Sequence, residues 1–132
     1  MADYKNPGFF EFNSALANGG KGGKYYDGKV VILVNNKTQS NAEYTVMSFH
    51  GGTNVTVIGS TTAGADGNVS HFVLPGNIHT SFSGIGIYYP NGAETQRVGV
   101  KIDVPIVPTI AGIKAGKDEL LEKAIELIES RP

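Results

Sequence analysis

The sequence contains no cysteine, so disulfide bonds, thiolate metal sites and cysteine nucleophiles are excluded. Charged residues make up only 17% of the chain and the net charge is −1, with no block of lysine and arginine. Nucleic acid is therefore not an expected partner, because phosphate-binding surfaces need such a basic block. No apolar run approaches the length of a transmembrane helix, and the first residues lack the apolar core of a signal peptide. These absences favour a soluble globular chain.

Hydrophobic residues and glycines are abundant in comparison. With 132 residues, 40% of them hydrophobic, the chain fits one ordinary domain. The 18 glycines are mostly separate from one another, which indicates tight turns between short elements. Gly59–Gly67 is glycine-rich but lacks the lysine of a phosphate-binding loop, and the three histidines lack metal-site spacing. We therefore predict neither a cofactor nor a metal.

The first half of the chain predicts a β-α-β unit. Residues 1–28 form an irregular leading segment, and the domain proper covers residues 29–132. Within it, Lys29–Val34 is a continuous apolar run typical of a strand buried on both faces. A helix from Ser40 to about Gly51 and a β-branched strand at Asn54–Ile58 follow. We expect an α/β fold whose two strands are parallel and joined by a right-handed crossover.

The second half predicts β structure and a closing helix. An alternating stretch contains prolines, which favour a sheet edge or an extended tail. The closing helix has an amphipathic pattern. The predicted elements are a strand at Asn68–Leu74, a turn at Pro75, a glycine-containing strand at Thr80–Tyr89, a hairpin turn at Pro90–Ala93, the alternating stretch at Val98–Ile106 and the helix at Lys117–Glu129. In the leading segment, Phe9, Phe10 and Phe12 are candidates to anchor the chain against a larger body.

Ser40 lies where the first strand, after a short polar turn, passes into the first helix. Ser40-Asn-Ala-Glu43 matches the capping box S-x-x-E, in which each side chain bonds the other residue's backbone N–H. The same position suits a nucleophile, because a helix start offers unpaired N–H groups that stabilise an oxyanion. The pattern alone leaves both interpretations open, and caps are far more common than nucleophiles.

Four segments, in order, resemble the C-terminal processing (tail-specific, S41) serine peptidases. Thr38-Gln-Ser40-Asn-Ala-Glu43 is similar to the family's S-A-S-A-S-E-type motif, and Asn54–Gly64 is similar to its strand and V-G-E-x-T-x-G loop. Tyr88–Val100 resembles the family's Y-x-P-x-G-R-x-I-Q-x-x-G-I hairpin, and Asp118–Glu129 its terminal helix. Each match is weak, but the ordered set across about residues 28–130 is strong.

The resemblance implies a partial α/β core of the ClpP/crotonase type and the C-terminal half of a peptidase catalytic domain. Ser40 would be the nucleophile, and the backbone N–H of Asn41 an oxyanion donor. Gly64, Ala65 and Asp66 would line the substrate site. The implied substrate is a polypeptide, and the family suggests a bacterial envelope or exported location. No cofactor is implied.

The sequence departs from the branch of the family that uses a Ser–Lys dyad. Ala65 and Asp66 occupy the loop that carries the lysine, and neither side chain replaces a desolvated lysine base. A second, tricorn-like branch pairs the serine with a histidine from an earlier segment, assisted by a later glutamate. Glu94 is a candidate for that glutamate, although it is equally well a solvated turn acid. By resemblance the histidine, a first oxyanion glycine and any PDZ domain lie upstream of residue 1.

Two further hypotheses remain open from the sequence. His50 ends the Ser40 helix, roughly 15 Å from its start by helical rise, so we interpret it as a surface or packing residue. His71 and His79 lie on predicted strands. Without a base, the chain is alternatively a non-catalytic peptide-binding or scaffold domain in which Ser40 is only a cap. A half-domain also exposes apolar surface, which favours self-association.

Overall fold

The computed structural model describes residues 5–6, 8–9, 11–12, 14 and 23–130. Its elements, in chain order, are β1 (Val30–Val34), α1 (Asn41–Phe49), β2 (Val55–Gly59), β3 (Asn68–Leu74), β4 (Ile78–Ile85), β5 (Val104–Pro105), α2 (Ile110–Lys114) and α3 (Glu119–Glu129). Two small sheets result: a parallel sheet with the order β1-β2-β5 and an antiparallel ribbon of β3 and β4.

The predicted β-α-β unit is confirmed. β1 and β2 are parallel and in register from Val30 opposite Val55 to Val34 opposite Gly59. Because successive side chains of a strand point to opposite faces, β1 and β2 present apolar residues to both sides of the sheet. α1 covers one face of these two strands, and α3 covers the other.

The core on the α1 side of the sheet consists of small β-branched residues. Val34, Val57 and Val100 pack against Val46 of α1, and Ile32, Met47 and Ile102 complete the cluster at its margin. Ile58, which follows Val57 in β2, is also fully buried, as alternation requires on the opposite face. The sheet is thus buried on both sides where β2 runs through its centre.

The closing helix is confirmed, and a short helix before it was not predicted. α3 begins after Asp118, whose side chain accepts the N–H of Leu121 at 3.0 Å. It packs on β1 and β2 with Leu120 and Ala124 buried, while an outer stripe of apolar residues stays about half exposed: Leu121, Ile125 and Ile128. α2 is a single turn capped by Thr109, too short to give a periodic signal. No helix among the described residues is long and apolar enough to cross a membrane.

The alternating stretch forms much less strand than the pattern predicts. Only Val104 and Pro105 pair with β2, at the sheet edge where proline is tolerated. Around them, Asp103 and Ile106 donate their N–H groups to Val57 and Gly59 at 2.9 and 2.8 Å. The predicted edge position is correct for Val104 and Pro105, and the rest of Val98–Ile106 has no strand pairing, as the alternative of an extended tail allows.

The β3–β4 ribbon is shifted from its predicted position. β4 covers Ile78–Ile85 rather than Thr80–Tyr89, because the Pro75 turn brings Leu74 opposite Ile78. The second predicted hairpin, around Pro90–Ala93, is reduced to a single bridge between Tyr88 and Glu94. The ribbon's side chains are exposed on both of its faces, with Phe72 42% and Phe82 57% accessible.

The leading segment does not show the predicted anchoring. Phe9 and Phe12 are 69% and 84% exposed, and the ring of Phe12 meets only the edge of Tyr88, 5.6 Å between centroids. Phe10, residues 1–4 and residues 15–22 lie outside the described residues. Residues 23–29 have no helix or strand before β1 begins.

Candidate functional site

Ser40 lies one residue before α1 with an exposed side chain and an unusual backbone. Its φ is 52° and its ψ −125°, a left-handed conformation that L-residues other than glycine rarely adopt. Backbone strain of this kind concentrates at functional sites, because surrounding contacts must enforce it. The turn therefore presents the Ser40 hydroxyl to solvent at the helix start.

The contact that enforces this conformation is the side chain of Glu43, which is completely buried. Its Oε2 accepts the N–H of Ser40 at 3.0 Å and the N–H of Ala65 at 2.9 Å. Its Oε1 accepts the hydroxyl of Thr62 at 2.5 Å and the N–H of Gly64 at 2.8 Å. One carboxylate thus joins the backbone of the candidate nucleophile to the Gly59–Gly67 loop.

The predicted capping box is present, with the Ser40 side chain paired to the Glu43 N–H and the Glu43 side chain to the Ser40 N–H. The two halves differ in geometry, because the first does not reach that of a normal cap hydrogen bond. The second is a hydrogen bond of 3.0 Å. The backbone of Ser40 is consequently held more firmly than its hydroxyl.

The hydrogen bonds around Glu43 continue to residues that are distant in the sequence. Thr62, itself buried, donates to Glu43 and accepts the N–H of Val100 at 3.0 Å. The N–H of Ala63 donates to the carbonyl of Thr38 at 2.9 Å, two residues before Ser40. Both sides of the turn that carries Ser40 are thereby bonded to the Gly59–Gly67 loop.

Gly64 occupies a position in this loop that requires glycine. Its φ is +63°, and a Cβ placed on it would lie 2.9 Å from the carbonyl carbon of Arg97. The Gly64 carbonyl accepts the N–H of Arg97 at 2.6 Å. Arg97 also has a left-handed backbone, with φ 66°. The loop and the Arg97 turn are therefore in close backbone contact.

Asp66 is the second buried carboxyl of the loop. It is 3% exposed, and its Oδ2 has no hydrogen-bond partner in the described part of the chain. Burial raises the pKa of Asp66, and the negative charge of Glu43 raises it further, against a smaller lowering by the N–H of Gly67. Burial in a site that leaves one carboxyl oxygen unpartnered disfavours the charged form, which accounts for the raised pKa of Asp66.

The other residues predicted for the site differ in exposure. Asn41 is exposed and begins α1, where the first N–H groups have no partner within the helix. Ala65 is also exposed, but Gly64 is buried and both of its backbone polar groups are engaged. Glu94 is exposed at the bridge to Tyr88 and lies in a groove beside Arg97.

His50 belongs to a separate polar cluster. Its Nδ1 lies 3.2 Å from the Tyr89 hydroxyl and its Nε2 3.6 Å from Asp103 Oδ2. Burial acts to raise the pKa of Asp103, but bonds from the Val57 N–H and Lys101 outweigh it and lower that pKa. His50 is thus a partly buried packing residue at the end of α1 rather than an open base.

The described residues supply no base to Ser40. His71 and His79 lie on β3 and β4, in the ribbon, and no histidine there or elsewhere in the described ranges hydrogen bonds the Ser40 hydroxyl. Within these ranges no group of three or more histidine, aspartate or glutamate side chains is arranged to hold a metal ion.

Sequence reasoning missed Thr62 and Arg97. Thr62 gives no signal of its own, because its role depends on a hydroxyl meeting a carboxylate 19 residues away. Arg97 precedes Gly99 by two residues, but nothing in its identity indicates a left-handed backbone. The available signal was Glu43, since a capping-box glutamate is normally exposed and this one lies among apolar residues.

The model of peptidase family S41 matches residues 4–106 of the chain. A crystal structure from Parabacteroides merdae, named as a candidate peptidase, is 26% identical with a TM-score of 0.74. The match covers 81% of this chain and 34% of that one. The structure of mature CPAF complexed with lactacystin is 25% identical with a TM-score of 0.66, over 76% of this chain and 21% of that one.

The tricorn protease shares the fold alone, at 23% identity and a TM-score of 0.68, over 77% of this chain and 10% of that one. The chain spans about a third of the Parabacteroides structure and a fifth of CPAF. No curated protein sequence matches it. The likeness therefore concerns one part of proteins that are considerably longer.

Proposed function

Because the chain belongs to peptidase family S41, we propose that it is the nucleophile-bearing part of a serine peptidase and that Ser40 is the nucleophile. The observation that carries the proposal is the local geometry of Ser40. Its backbone is held in a left-handed conformation by buried Glu43, while its hydroxyl is exposed at the start of α1. A simple cap needs neither feature.

In the proposed reaction, the Ser40 Oγ attacks the carbonyl carbon of a peptide bond. The carbonyl oxygen becomes an oxyanion, which the N–H of Asn41 stabilises together with the positive end of the α1 dipole. Collapse of the tetrahedral intermediate expels the amine and leaves an acyl group on Ser40. Water then attacks the acyl-enzyme, releases the second product and restores the hydroxyl.

The proton of Ser40 must pass to a base that the described residues do not provide. We propose a histidine from a segment outside this chain, with Glu94 as its assisting carboxylate. Ala65 and Asp66 stand where the dyad branch has its lysine. Neither side chain can act as a desolvated lysine base, so the proposal follows the tricorn-like branch rather than the dyad.

A serine-reactive fluorophosphonate tests the nucleophile in the complete protein. We expect labelling of the wild type and none of Ser40→Ala, with Ser81→Ala on the exposed ribbon as the matched control that keeps its label. Labelling that survives Ser40→Ala, or that never appears in the wild type, contradicts the proposal.

The 132-residue chain by itself should show little or no peptidase activity, because its Ser40 lacks a base. A fluorogenic peptide assay measures this directly. Clear turnover that depends on Ser40 would mean that the base lies within these residues and that the proposed division of the active site is wrong.

The second candidate is a non-catalytic peptide-binding or scaffold domain with the same fold. One observation favours it, namely that no histidine bonds the Ser40 hydroxyl. It predicts a wild-type protein that resists the fluorophosphonate, binds peptide, and is unchanged in binding by Ser40→Ala.

A further inference from the structure

A surface groove lies beside the candidate site, on the side of the Arg97 turn. Its volume is about 360 Å³ and its lining combines an apolar floor with charged and amide side chains. We call it the Arg97 groove; its lining residues are Gly86, Ile87, Tyr88, Glu94, Gln96 and Arg97.

The groove is rigidly connected to Ser40. Arg97 donates its N–H to the Gly64 carbonyl at 2.6 Å, and the Gly64 N–H donates to Glu43 at 2.8 Å. Glu43 in turn accepts the N–H of Ser40 at 3.0 Å. Three hydrogen bonds therefore connect the groove to the candidate nucleophile. Each has a backbone N–H as its donor, and two of them end on the completely buried carboxylate of Glu43.

The turn that carries Arg97, which forms one side of the groove, is also held by hydrogen bonds of a buried residue. Thr95, which is completely buried, donates its hydroxyl to the Ile87 carbonyl at 3.2 Å. Its own carbonyl accepts the N–H groups of Val98 and Gly99 at 3.0 and 2.7 Å. These bonds close the turn in which Arg97 has its left-handed backbone, so the point from which its side chain leaves the backbone is fixed.

The guanidinium of Arg97 is exposed and forms none of the ion pairs of the described residues, which are His50–Asp103, Lys101–Asp103 and Lys123–Glu126. A planar guanidinium without a carboxylate partner is suited to bind one in two parallel hydrogen bonds. Glu94 lines the same groove and forms none of these ion pairs either.

We propose that the Arg97 groove binds the polypeptide substrate beside the scissile bond and selects an acidic side chain through Arg97. This inference rests on the proposed function for its orientation relative to Ser40, but the binding itself does not require catalysis. Tyr88 and Ile87 supply the apolar contact for the peptide.

The test measures binding, not turnover, with fluorescein-labelled peptides of about ten residues in the complete protein carrying Ser40→Ala. The peptides form pairs that differ only in Glu or Gln, with the variable residue moved one position at a time. At low salt we expect one position at which the Glu peptide binds about fivefold more tightly, as one exposed charge-assisted contact provides. The preference should shrink at high salt, because exposed charges are screened.

Three variants identify the residue responsible. Arg97→Gln should remove the preference for Glu, and Arg97→Lys should retain part of it, since the charge remains while the two-pronged geometry is lost. Lys114→Gln, the matched loss of an exposed positive charge outside the groove, should leave the preference unchanged. Circular dichroism must show that the backbone of each variant is unchanged.

The outcomes separate this inference from the proposed function. A preference for Glu that Arg97→Gln leaves intact, or no preference at any position, overturns the inference. If the preference is present and depends on Arg97, but the wild type is not labelled by fluorophosphonate, the groove stands and the peptidase proposal fails. If the wild type is labelled but shows no preference for Glu, the peptidase proposal stands and the inference about the groove fails.

Discussion

The two halves of this molecule differ in what their polar groups contact. In the β1-α1-β2 unit and the Gly59–Gly67 loop, backbone N–H groups from two distant segments converge on the buried carboxylate of Glu43. In the β3–β4 ribbon, the backbone bonds run only between its own two strands, and the side chains are exposed on both faces. The hydrogen bonds of the first region hold the backbone of Ser40 in one place. The second region is a surface that no other described element covers.

This difference indicates where a precise geometry is required. A completely buried charge has a large desolvation cost, and apolar packing would stabilise the same fold more cheaply. Its presence beside a strained serine is consistent with selection for the placement of Ser40. The ribbon lacks any comparable feature.

Glu43→Gln should have the largest effect of the changes considered. In glutamine an NH2 group replaces one of the two carboxylate oxygens. Each of these oxygens accepts two hydrogen bonds, so at least two of the four hydrogen bonds are lost. We expect unfolding in urea to show a loss of about 3 kcal/mol, as for broken buried bonds to a charged group.

The control for Glu43→Gln is Glu122→Gln on the exposed side of α3, which should change stability by no more than about 0.5 kcal/mol. Equal effects for the two substitutions would mean that the Glu43 contacts contribute little, and the contrast between the two regions would fail.

Two glycine substitutions compare the regions at matched backbone geometry. Gly64 in the loop and Gly76 in the ribbon turn both have left-handed φ values, +63° and +89°. A Cβ at Gly64 meets the backbone of Arg97 at 2.9 Å, whereas at Gly76 the nearest side-chain atoms are 4.0 Å away. Gly76→Ala should cost about 1 kcal/mol for the conformation alone, and Gly64→Ala about 2–3 kcal/mol because a clash is added.

Thermal unfolding of both alanine variants measures this difference. A Gly64→Ala protein no less stable than Gly76→Ala would show that the loop adjusts freely and does not fix Arg97 against Ser40.

Asp66→Asn should stabilise the protein, and only at higher pH. The raised pKa of Asp66 means that the folded state holds its proton more tightly than the unfolded chain. Stability therefore falls as pH rises from the unfolded pKa through the folded one, since ionisation then opposes folding. The amide removes this loss, so the melting temperature of Asp66→Asn should exceed that of the wild type above this range and equal it in acid.

A melting-temperature series against pH tests the Asp66 prediction. Asp118→Asn does not serve as its control, because Asp118 caps α3; Asp27, exposed and outside any helix or strand, does. A pH-independent difference for Asp66→Asn would assign its effect to packing rather than to ionisation.

The smallest effects should come from the ribbon. Phe72→Ser removes one edge contact, 5.8 Å between the ring centroids of Phe72 and Phe82, and leaves the rest of the fold intact. We expect a loss of global stability below about 1 kcal/mol, since isolated aromatic pairs contribute little more. Hydrogen exchange should be faster in β3 and β4 than in β2, and comparable protection would show that something covers the ribbon.

Sequence predicted the parts of the site that depend on local pattern. The apolar run, the polar turn and Ser40-x-x-Glu43 located β1, the turn and the start of α1 to within one or two residues. The direction of the Glu43 bonds was not predictable, because three of the four donors come from a loop about 20 residues away. Capping rules describe only the nearest of these contacts.

The errors elsewhere have a common physical origin. The alternation over Val98–Ile106 predicts a strand. The left-handed backbones of Arg97 and Gly99 turn the chain at the start of this stretch, and only Val104 and Pro105 are paired. Those conformations are imposed by Thr95 and Gly64, which the alternating pattern does not include. A short strand fixed by distant contacts has no local signature.

The bond from the Val100 N–H to Thr62 has a consequence for biosynthesis. It joins residues 38 positions apart, and Thr62 is one of the four donors to Glu43. A chain emerging from the ribosome cannot complete this bond until residue 100 has been made, long after Ser40 has appeared. The set of hydrogen bonds around Glu43 is therefore completed late, and a nascent or truncated chain that ends before residue 100 carries Ser40 without the bond that holds Thr62 from its other side.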